Sequence, residues 1–146
     1  MKIQTQLFGA QDVRAEQILH FPAGIIGWEE DHQWILLGDL EQTALGWLQS
    51  LSTPVASLAV ISPRRFFPDY RLRLDALSLV PLHVSPEDQL YLLAMVSHVR
   101  SDLTANLRAP IIVNASRQLG LHVITVDRQP MQQVIRERDK TLRKSA

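Results

Sequence analysis

Short apolar runs separated by turn residues make up most of this chain. Several runs alternate apolar and polar positions, as strands with one buried face do. Prolines and glycines recur between the runs, which favours strands and tight turns over long helices. The predicted strands cover residues 3–8, 16–21, 34–37, 46–50, 56–62, 71–74, 89–99, 111–114 and 121–127. These strands predict a mainly all-β fold, a small antiparallel β-barrel or sandwich.

Only the end of the chain has a helical pattern. A partial i, i+3, i+4 stripe follows Pro130 and comprises Met131, Val134, Ile135, Arg138 and Leu142. The length of 146 residues suits one domain. We therefore expect a barrel over residues 1–130, and a short helix with a frayed tail over residues 131–146 of the same domain.

Composition narrows the classes of function. The absence of cysteine excludes disulfides and thiolate chemistry. Residues 1–50 carry two basic and seven acidic side chains. Residues 51–100 carry five basic and four acidic ones, and residues 101–146 carry eight basic and four acidic ones. The neutral total disfavours direct nucleic-acid binding, which usually needs a basic face. The acidic first third either faces a basic protein partner or is only a solvated surface.

The sequence predicts a cytoplasmic protein without membrane contact. Residues 1–10 lack the apolar run of a signal peptide. The longest apolar stretch, at residues 90–96, is far shorter than the ~20 residues of a membrane span. Nothing in the sequence demands a dimer, so we expect a monomer.

No motif for catalysis is present. The histidines form no H-E-x-x-H pair; they are His20, His32, His83, His98 and His122. The chain also lacks a G-x-S-x-G elbow, a phosphate loop and a G-x-G-x-x-G fingerprint. The sequence therefore predicts no catalytic residue, no cofactor and no metal, and a protein that is not an enzyme.

Two alternatives to protein binding stay open. The segment NASRQLG at residues 114–120 resembles the D/N-x-S-x-x-G element of PilZ-type cyclic-dinucleotide barrels, although its glycine comes one residue late. A deep pocket lined by Arg64, Arg65 and Arg117 would support such a small-ligand site. A convergent set of His, Asp and Glu with a raised carboxylate pKa would instead support a hydrolase or isomerase. A shallow apolar groove would support protein binding.

Four segments, in order, resemble the FliW family. They are FPAGIIGWE at residues 21–29, LQS at 48–50 followed by Pro54 and LAVISP at 58–63, FFPDY at 66–70, and TANLRAPIIVN at 104–114. The likeness runs from about residue 3 to residue 140. Trp28 stands where phenylalanine is usual in the family, and Ser62 precedes Pro63 where an acid is common.

The resemblance implies a small antiparallel barrel without enzymatic activity. FliW-like proteins bind flagellin in the cytoplasm before its export. They also bind CsrA, a small RNA-binding repressor of flagellin translation. The implied mechanism is partner switching: export of flagellin frees the protein, which then binds CsrA and relieves repression.

Three groups of residues are candidates for partner contact. An acidic group comprises Glu29, Glu30 and Asp31, and a strand end carries Gln49 and Ser50. The aromatic segment supplies Phe66, Phe67, Asp69 and Tyr70, which either close the barrel or present anchors to a partner. Asn106 and Asn114 flank an Ala-Pro turn, and we expect their amides to bond the local backbone.

Overall fold

Strands dominate the computed structural model, which describes residues 1–135. The strands are β1 (Lys2–Thr5), β2 (Gly9–Asp12), β3 (Leu19–His20), β4 (Gln33–Leu37), β5 (Leu45–Ser50), β6 (Ser57–Ile61), β7 (Leu90–Val99), β8 (Asp102–Ala105), β9 (Ile111–Asn114), β10 (Leu119–His122) and β11 (Gln133–Val134). The single-turn helices are α1 (Leu40–Thr43) and α2 (Pro63–Phe66), and 3₁₀ turns occupy Ala15–Gln17 and Ala76–Leu82. The mainly β prediction is confirmed.

Seven of the strands close into a ring. The order is β7-β6-β5-β4-β3-β10-β9, and β9 pairs again with β7. β8 and β11 extend the sheet from β7, while β1 and β2 form a separate hairpin. Every pairing is antiparallel except that of β3 with β10, where Leu119 lies opposite His20. The sequence predicted an antiparallel barrel or sandwich. The observed sheet is mixed, because it contains this one parallel pair.

The barrel is filled by residues from alternating strand positions. Its main cluster includes Phe21, Trp34, Leu48, Val60, Leu93 and Ile111, all fully buried. The rings of Phe21 and Trp34 meet edge to face, with centroids 6.5 Å apart. A Cβ at Gly120 would lie 2.2 Å from the Phe21 ring, so only glycine fits there. This contact places the start of the segment at residues 21–29 against β10.

Four predicted strands differ in the structure. The strand predicted at residues 3–8 ends at Thr5, and the strand predicted at residues 16–21 is reduced to β3 because a 3₁₀ turn occupies Ala15–Gln17. Residues 71–74 form no strand. Leu72 and Leu74 are half-buried and pack against a core cluster, so the apolar and polar residues alternate although the segment is irregular. The Asp75 carboxylate then accepts from the Leu77 N–H at 3.2 Å and starts a 3₁₀ turn. The strand predicted at residues 121–127 is shifted to β10, which ends at His122.

The predicted C-terminal helix is not found at its first residues. Gln133 and Val134 instead form β11, in register with Ala105 and Thr104 of β8. Ile135 is buried in the cluster that also contains Ala105. Pairing with a distant strand decides the conformation here, and the stripe reflects burial rather than helical periodicity. The remainder of that predicted helix lies outside the described residues.

No helix within residues 1–135 has the length and apolar character needed to cross a bilayer.

Candidate interaction surface

The segment at residues 21–29 forms a tight loop that leaves one apolar side chain in solvent. Gly24 has φ +70°, and a Cβ there would lie 2.6 Å from the carbonyl oxygens of Trp28 and Glu29. The Trp28 N–H donates to the Ile25 carbonyl at 2.6 Å and closes the loop. Ile25 is consequently fully buried, whereas Ile26 is 51% exposed.

The segment at residues 104–114 forms a second ordered loop. The Asn106 side-chain oxygen accepts from the backbone N–H groups of Arg108 and Ala109, each at 3.1 Å. The predicted local role of Asn106 is confirmed. Asn114 differs, since its amide donates across the molecule to the Leu82 carbonyl at 3.0 Å and to Asp88 at 2.9 Å. Asn114 therefore holds a distant loop rather than its own turn.

His122 joins these two loops. Its Nδ1 accepts from the Ile26 N–H at 3.0 Å, and its Nε2 lies 2.9 Å from the Ala109 carbonyl oxygen. The two contacts require Nε2 to carry the proton and Nδ1 to be free of one. Burial lowers the pKa of His122, although the bond to Ala109 acts in the opposite sense. The neutral ring thus fixes both loops.

An apolar depression of about 370 Å³ lies between the two loops. We call it the Ile26 groove; its lining includes Ile26, Met95, Arg108, His122, Ile124 and Met131. Ile124 and Met131 are each 59% exposed, so three large apolar side chains meet solvent around one open depression. Clustered apolar exposure of this kind is typical of binding surfaces.

The acidic group divides into two kinds of residue. Glu29 and Glu30 are exposed in the stretch of chain that follows Ile26, and the Glu29 carboxylate accepts from the Gly27 N–H at 2.9 Å. That hydrogen bond lowers the pKa of Glu29. Asp31 is half-buried and accepts from the Ser50 hydroxyl at 2.6 Å. Glu29 and Glu30 supply surface charge, and Asp31 holds the fold.

Gln49 and Ser50 are also structural. Both are fully buried. The Gln49 amide donates to the Ser50 carbonyl at 3.0 Å and accepts from the Ser57 hydroxyl. The Ser50 hydroxyl oxygen accepts from the Thr53 N–H at 3.1 Å. These bonds pin the turn between β5 and β6, so neither side chain is exposed to a partner in this structure.

The aromatic segment closes one part of the core. Phe66 and Tyr70 are buried in a cluster with Leu107 and Ile135. The Tyr70 hydroxyl donates to the Leu107 carbonyl at 2.6 Å, and burial raises its pKa to about 12. Phe66 and Tyr70 are therefore packed inward and are not exposed anchors.

Phe67 and Asp69 remain at the surface of the same segment. Phe67 is half-buried and Asp69 is exposed, and both line a shallow depression of about 340 Å³. A contact role for these two side chains stays a prediction.

The three arginines that a nucleotide pocket would need lie apart. Arg64 borders an apolar depression of about 330 Å³, and Arg65 donates to the Glu41 carbonyl at 2.6 Å. Arg117 pairs with Asp88 at 3.0 Å and donates to the Ser85 hydroxyl. The part of the chain that the structure describes therefore holds no shared pocket of these arginines. Within it, no three His, Asp or Glu side chains are placed to bind a metal.

Sequence reasoning missed most of the groove. Met95 and Met131 belong to β7 and to the approach to β11, and only the fold brings them beside Ile26. Ile124 carried a usable signal, because it alternates with buried Val123 and Thr125 in a segment rich in β-branched residues. Ile124 and Val126 are the exposed residues of this alternation, and both are apolar, which indicates one open apolar face.

This chain is similar to a family of known proteins. The family model described as FliW protein matches residues 2–136. The flagellar assembly factor FliW of Geobacillus sp. (strain WCH70) is 39% identical over 126 residues, which cover 85% of this chain and 87% of that protein. The protein of the same name from Treponema pallidum (strain Nichols) is 38% identical over 125 residues, covering 84% and 83%.

A solved structure has the same fold. The chain resembles a crystal structure of the flagellar assembly factor FliW with a TM-score of 0.84 and 32% identity, covering 94% of this chain and 99% of that one. The family model spans both loops that border the Ile26 groove. This chain belongs to the FliW family of flagellar assembly factors.

Proposed function

We propose that this flagellar assembly factor acts in the cytoplasm by binding other proteins, without catalysing a reaction. It holds flagellin before export, as a chaperone does. Once flagellin has left, it binds a CsrA-type translational repressor and relieves repression of flagellin synthesis. The protein acts as a monomer that contacts neither nucleic acid nor membrane.

The observation that carries the proposal is the Ile26 groove. Ile26, Ile124 and Met131 expose apolar surface around one depression. Burial of apolar surface contributes about 25 cal/mol per Å², so covering this depression favours association. Both ring nitrogens of His122 are engaged in the fold, which leaves the ring without a free base for chemistry.

The exposed carboxylates that follow Ile26 along the chain fit a basic protein. Glu29 and Glu30 are both exposed, and the lowered pKa of Glu29 keeps its carboxylate charged at neutral pH. Exposed carboxylates attract a basic RNA-binding repressor and speed its association at low salt. Two partners that use one surface, or neighbouring surfaces, deplete each other through linked binding equilibria.

A competition experiment tests the proposal. Purified protein is titrated with cognate flagellin, with the cognate CsrA-type repressor, and with each in the presence of the other. We expect binding to each partner and displacement of the repressor by flagellin. Binding to neither would refute the proposal. Simultaneous binding of both without competition would retain protein binding but refute the switch.

A charge-reversal pair sharpens the test of these carboxylates. Glu30→Lys is expected to weaken binding of the repressor, with a larger effect at low salt because salt screens exposed charges. Glu87→Lys is the matched control, since Glu87 is also exposed but lies in the loop before β7. Equal affinities for the two variants would show that these carboxylates do not contact the repressor.

A further inference from the structure

The first half of β7 has a neighbouring strand on one side only. β7 pairs with β9 through residues 90–93, whereas its pairing with β6 on the other side is confined to Ala94 and Met95. β6 ends at Ile61, and α2 begins at Pro63, which has no N–H to continue the pairing. Within the described part of the chain, the β6 side of residues 90–93 is therefore an open strand edge.

The backbone groups of Leu90 and Leu92 face this open edge. The Ala115 N–H donates to the Gln89 carbonyl at 2.9 Å, so residue 89 bonds to the chain that continues β9. Hydrogen-bonded residues alternate along an antiparallel strand, so the odd-numbered residues of this half of β7 bond to β9 and the even-numbered ones face away. No backbone hydrogen bond within residues 1–135 engages the N–H or carbonyl group of Leu90 or Leu92.

An apolar depression of about 330 Å³ runs along the same edge. It touches three consecutive residues of β7, namely Leu90, Tyr91 and Leu92. Successive side chains of a strand point to opposite faces, so a depression that touches all three reaches the strand edge. The other apolar side chains that line it come from neighbouring segments and are Leu72, Leu79, Leu82, Val84 and Ile112.

This edge lacks the usual protection of a free strand edge. Natural sheets shield such edges with lysine, proline, a bulge or a covering segment. Among the described residues, the exposed side chains beside this edge are instead apolar, since Leu90 and Val84 are each 45% exposed. Free backbone groups next to apolar pockets are the combination that receives an added strand.

Arg64 gives the depression its charge. Its Nε donates to the Tyr70 carbonyl at 3.4 Å, and within residues 1–135 the guanidinium forms no ion pair. A guanidinium with unused donors favours a carboxylate. The chain's own end is a poor match, because residues 136–146 carry five basic and two acidic side chains. Charge complementarity therefore points to an acidic segment from another protein.

We propose that the open edge of β7 binds an extended acidic segment of a protein partner, which adds a strand beside Leu90 and Leu92. An apolar side chain of that segment fills the depression, and one of its carboxylates pairs with Arg64. The edge is separate from the Ile26 groove, because the two depressions share no lining residue within the described chain. The inference therefore goes beyond the proposed function and adds a second, strand-type contact surface.

Peptide selection tests the occupant without assuming a partner. Random displayed peptides of about seven residues, a length within the range of natural strands, are selected on the purified full-length protein. We expect enriched peptides that alternate apolar and polar positions, carry an acidic residue and lose affinity for Leu90→Pro. Enrichment of no such peptide would overturn the proposal. Because the selection involves neither flagellin nor the repressor, the competition experiment can fail while this inference stands.

Leu90→Pro isolates the backbone contribution. Proline removes the N–H that faces the open edge, and strand edges tolerate it. Leu90→Val is the matched control, since it keeps the N–H and most of the apolar surface. We expect Leu90→Pro to weaken peptide binding about fivefold or more and Leu90→Val less than about twofold. Equal affinities would overturn strand addition, and thermal unfolding checks that both variants keep the fold.

Amide exchange of the wild type tests the same contacts without a substitution. In the free protein, Leu90 and Leu92 should exchange rapidly, whereas β9 protects Tyr91 and Leu93. Bound peptide should slow exchange at Leu90 and Leu92, and unchanged exchange there would overturn the proposal. Slow exchange in the free protein that is lost on deletion of residues 136–146, or on dilution, would identify the chain's own end or a second copy as the occupant and would also overturn it.

Side-chain variants test the depression and its charge. Val84→Glu introduces a carboxylate into the depression and should weaken binding of the selected peptides about tenfold. Its control is Val55→Glu, since Val55 is 58% exposed in the turn between β5 and β6. Arg64→Gln should weaken binding about two- to fivefold at low salt, and the exposed Arg128→Gln less than about twofold. Equal affinities within the first pair would overturn the depression as the apolar site, and equal affinities within the second pair would overturn the charge assignment.

Discussion

The Ile26 groove and the aromatic segment at residues 66–70 both contain large apolar side chains, but these side chains differ in burial. In the aromatic segment, Phe66 and Tyr70 face inward and the Tyr70 hydroxyl bonds to Leu107. In the groove, the backbone N–H of Ile26 bonds to His122, and its side chain stays in solvent. The difference shows that residue type alone does not identify a contact surface. The backbone bonding of each loop decides which side chains remain exposed.

The largest expected effect separates the two regions by stability. Phe66→Ala removes a buried ring and should lower the free energy of unfolding by about 3–5 kcal/mol. Ile26→Ala should change it by less than about 0.5 kcal/mol, because the side chain is half exposed. Urea unfolding of both variants measures the difference. A neutral Phe66→Ala that abolished partner binding would make the aromatic segment the contact surface.

The acidic group allows the same comparison between neighbours. Asp31→Ala leaves the Ser50 hydroxyl without its acceptor and should cost about 1–3 kcal/mol of stability. Glu30→Ala removes only an exposed charge and should cost less than about 0.5 kcal/mol. Denaturant midpoints of the two variants check the prediction. Similar midpoints would mean that Asp31 is as free as Glu30.

Tyr70 permits a test within the aromatic segment. Tyr70→Phe removes the bond to Leu107 and should lower stability by about 0.5–1.5 kcal/mol. Burial raises the pKa of Tyr70 to about 12 from its ordinary value of 10.0, so folding favours the neutral phenol. Its contribution is present below pH 10 and is lost as the pH rises toward 12. Ultraviolet titration should show a high-pH ionisation that is missing from Tyr70→Phe; an ionisation near pH 10 would contradict the buried hydroxyl.

The smallest expected effect concerns the histidine that orders the groove. The pKa of His122 is lowered by burial, so the unfolded chain binds a proton more readily than the folded one. Stability supplied by the neutral ring is present above pH 6.5 and falls as the pH drops through 6.5 toward the folded-state pKa. Protonation of Nδ1 would also remove its bond to Ile26. Between pH 8 and pH 5, the free energy of unfolding should change less for His122→Gln than for the wild type. Equal changes in the two proteins would contradict the bridge between His122 and Ile26.

Local patterns sufficed for much of the fold but not for its edges. The short runs of β4 and β5 on either side of a polar turn, and the long apolar run of β7, predicted their strands from local sequence alone. β11 has only two residues, and its conformation depends on β8, which pairs with it across the sheet. Residues 71–74 alternate as a strand would, yet they pack as an irregular segment.

The candidate site was predictable only in part. Glu29 and Glu30 were placed correctly at the surface, since charged side chains in a turn are rarely buried. Gln49, Ser50 and Asp31 are polar, but their hydrogen bonds lie within the fold. The Gln49 amide donates to the Ser50 carbonyl, and the Ser50 hydroxyl donates to the Asp31 carboxylate. The groove itself is lined by residues from five segments of the chain, and His122 bonds to two of the other four, at Ile26 and Ala109. No spacing along the chain reveals that bridge.

Amide hydrogen exchange of the protein with and without bound flagellin tests the central claim most directly, with the CsrA-type repressor as the second ligand. We expect added protection at residues 23–30, 106–109 and 122–131, which include the lining of the Ile26 groove, and little change at residues 63–70. Protection centred on residues 63–70, with none around Ile26, would contradict it.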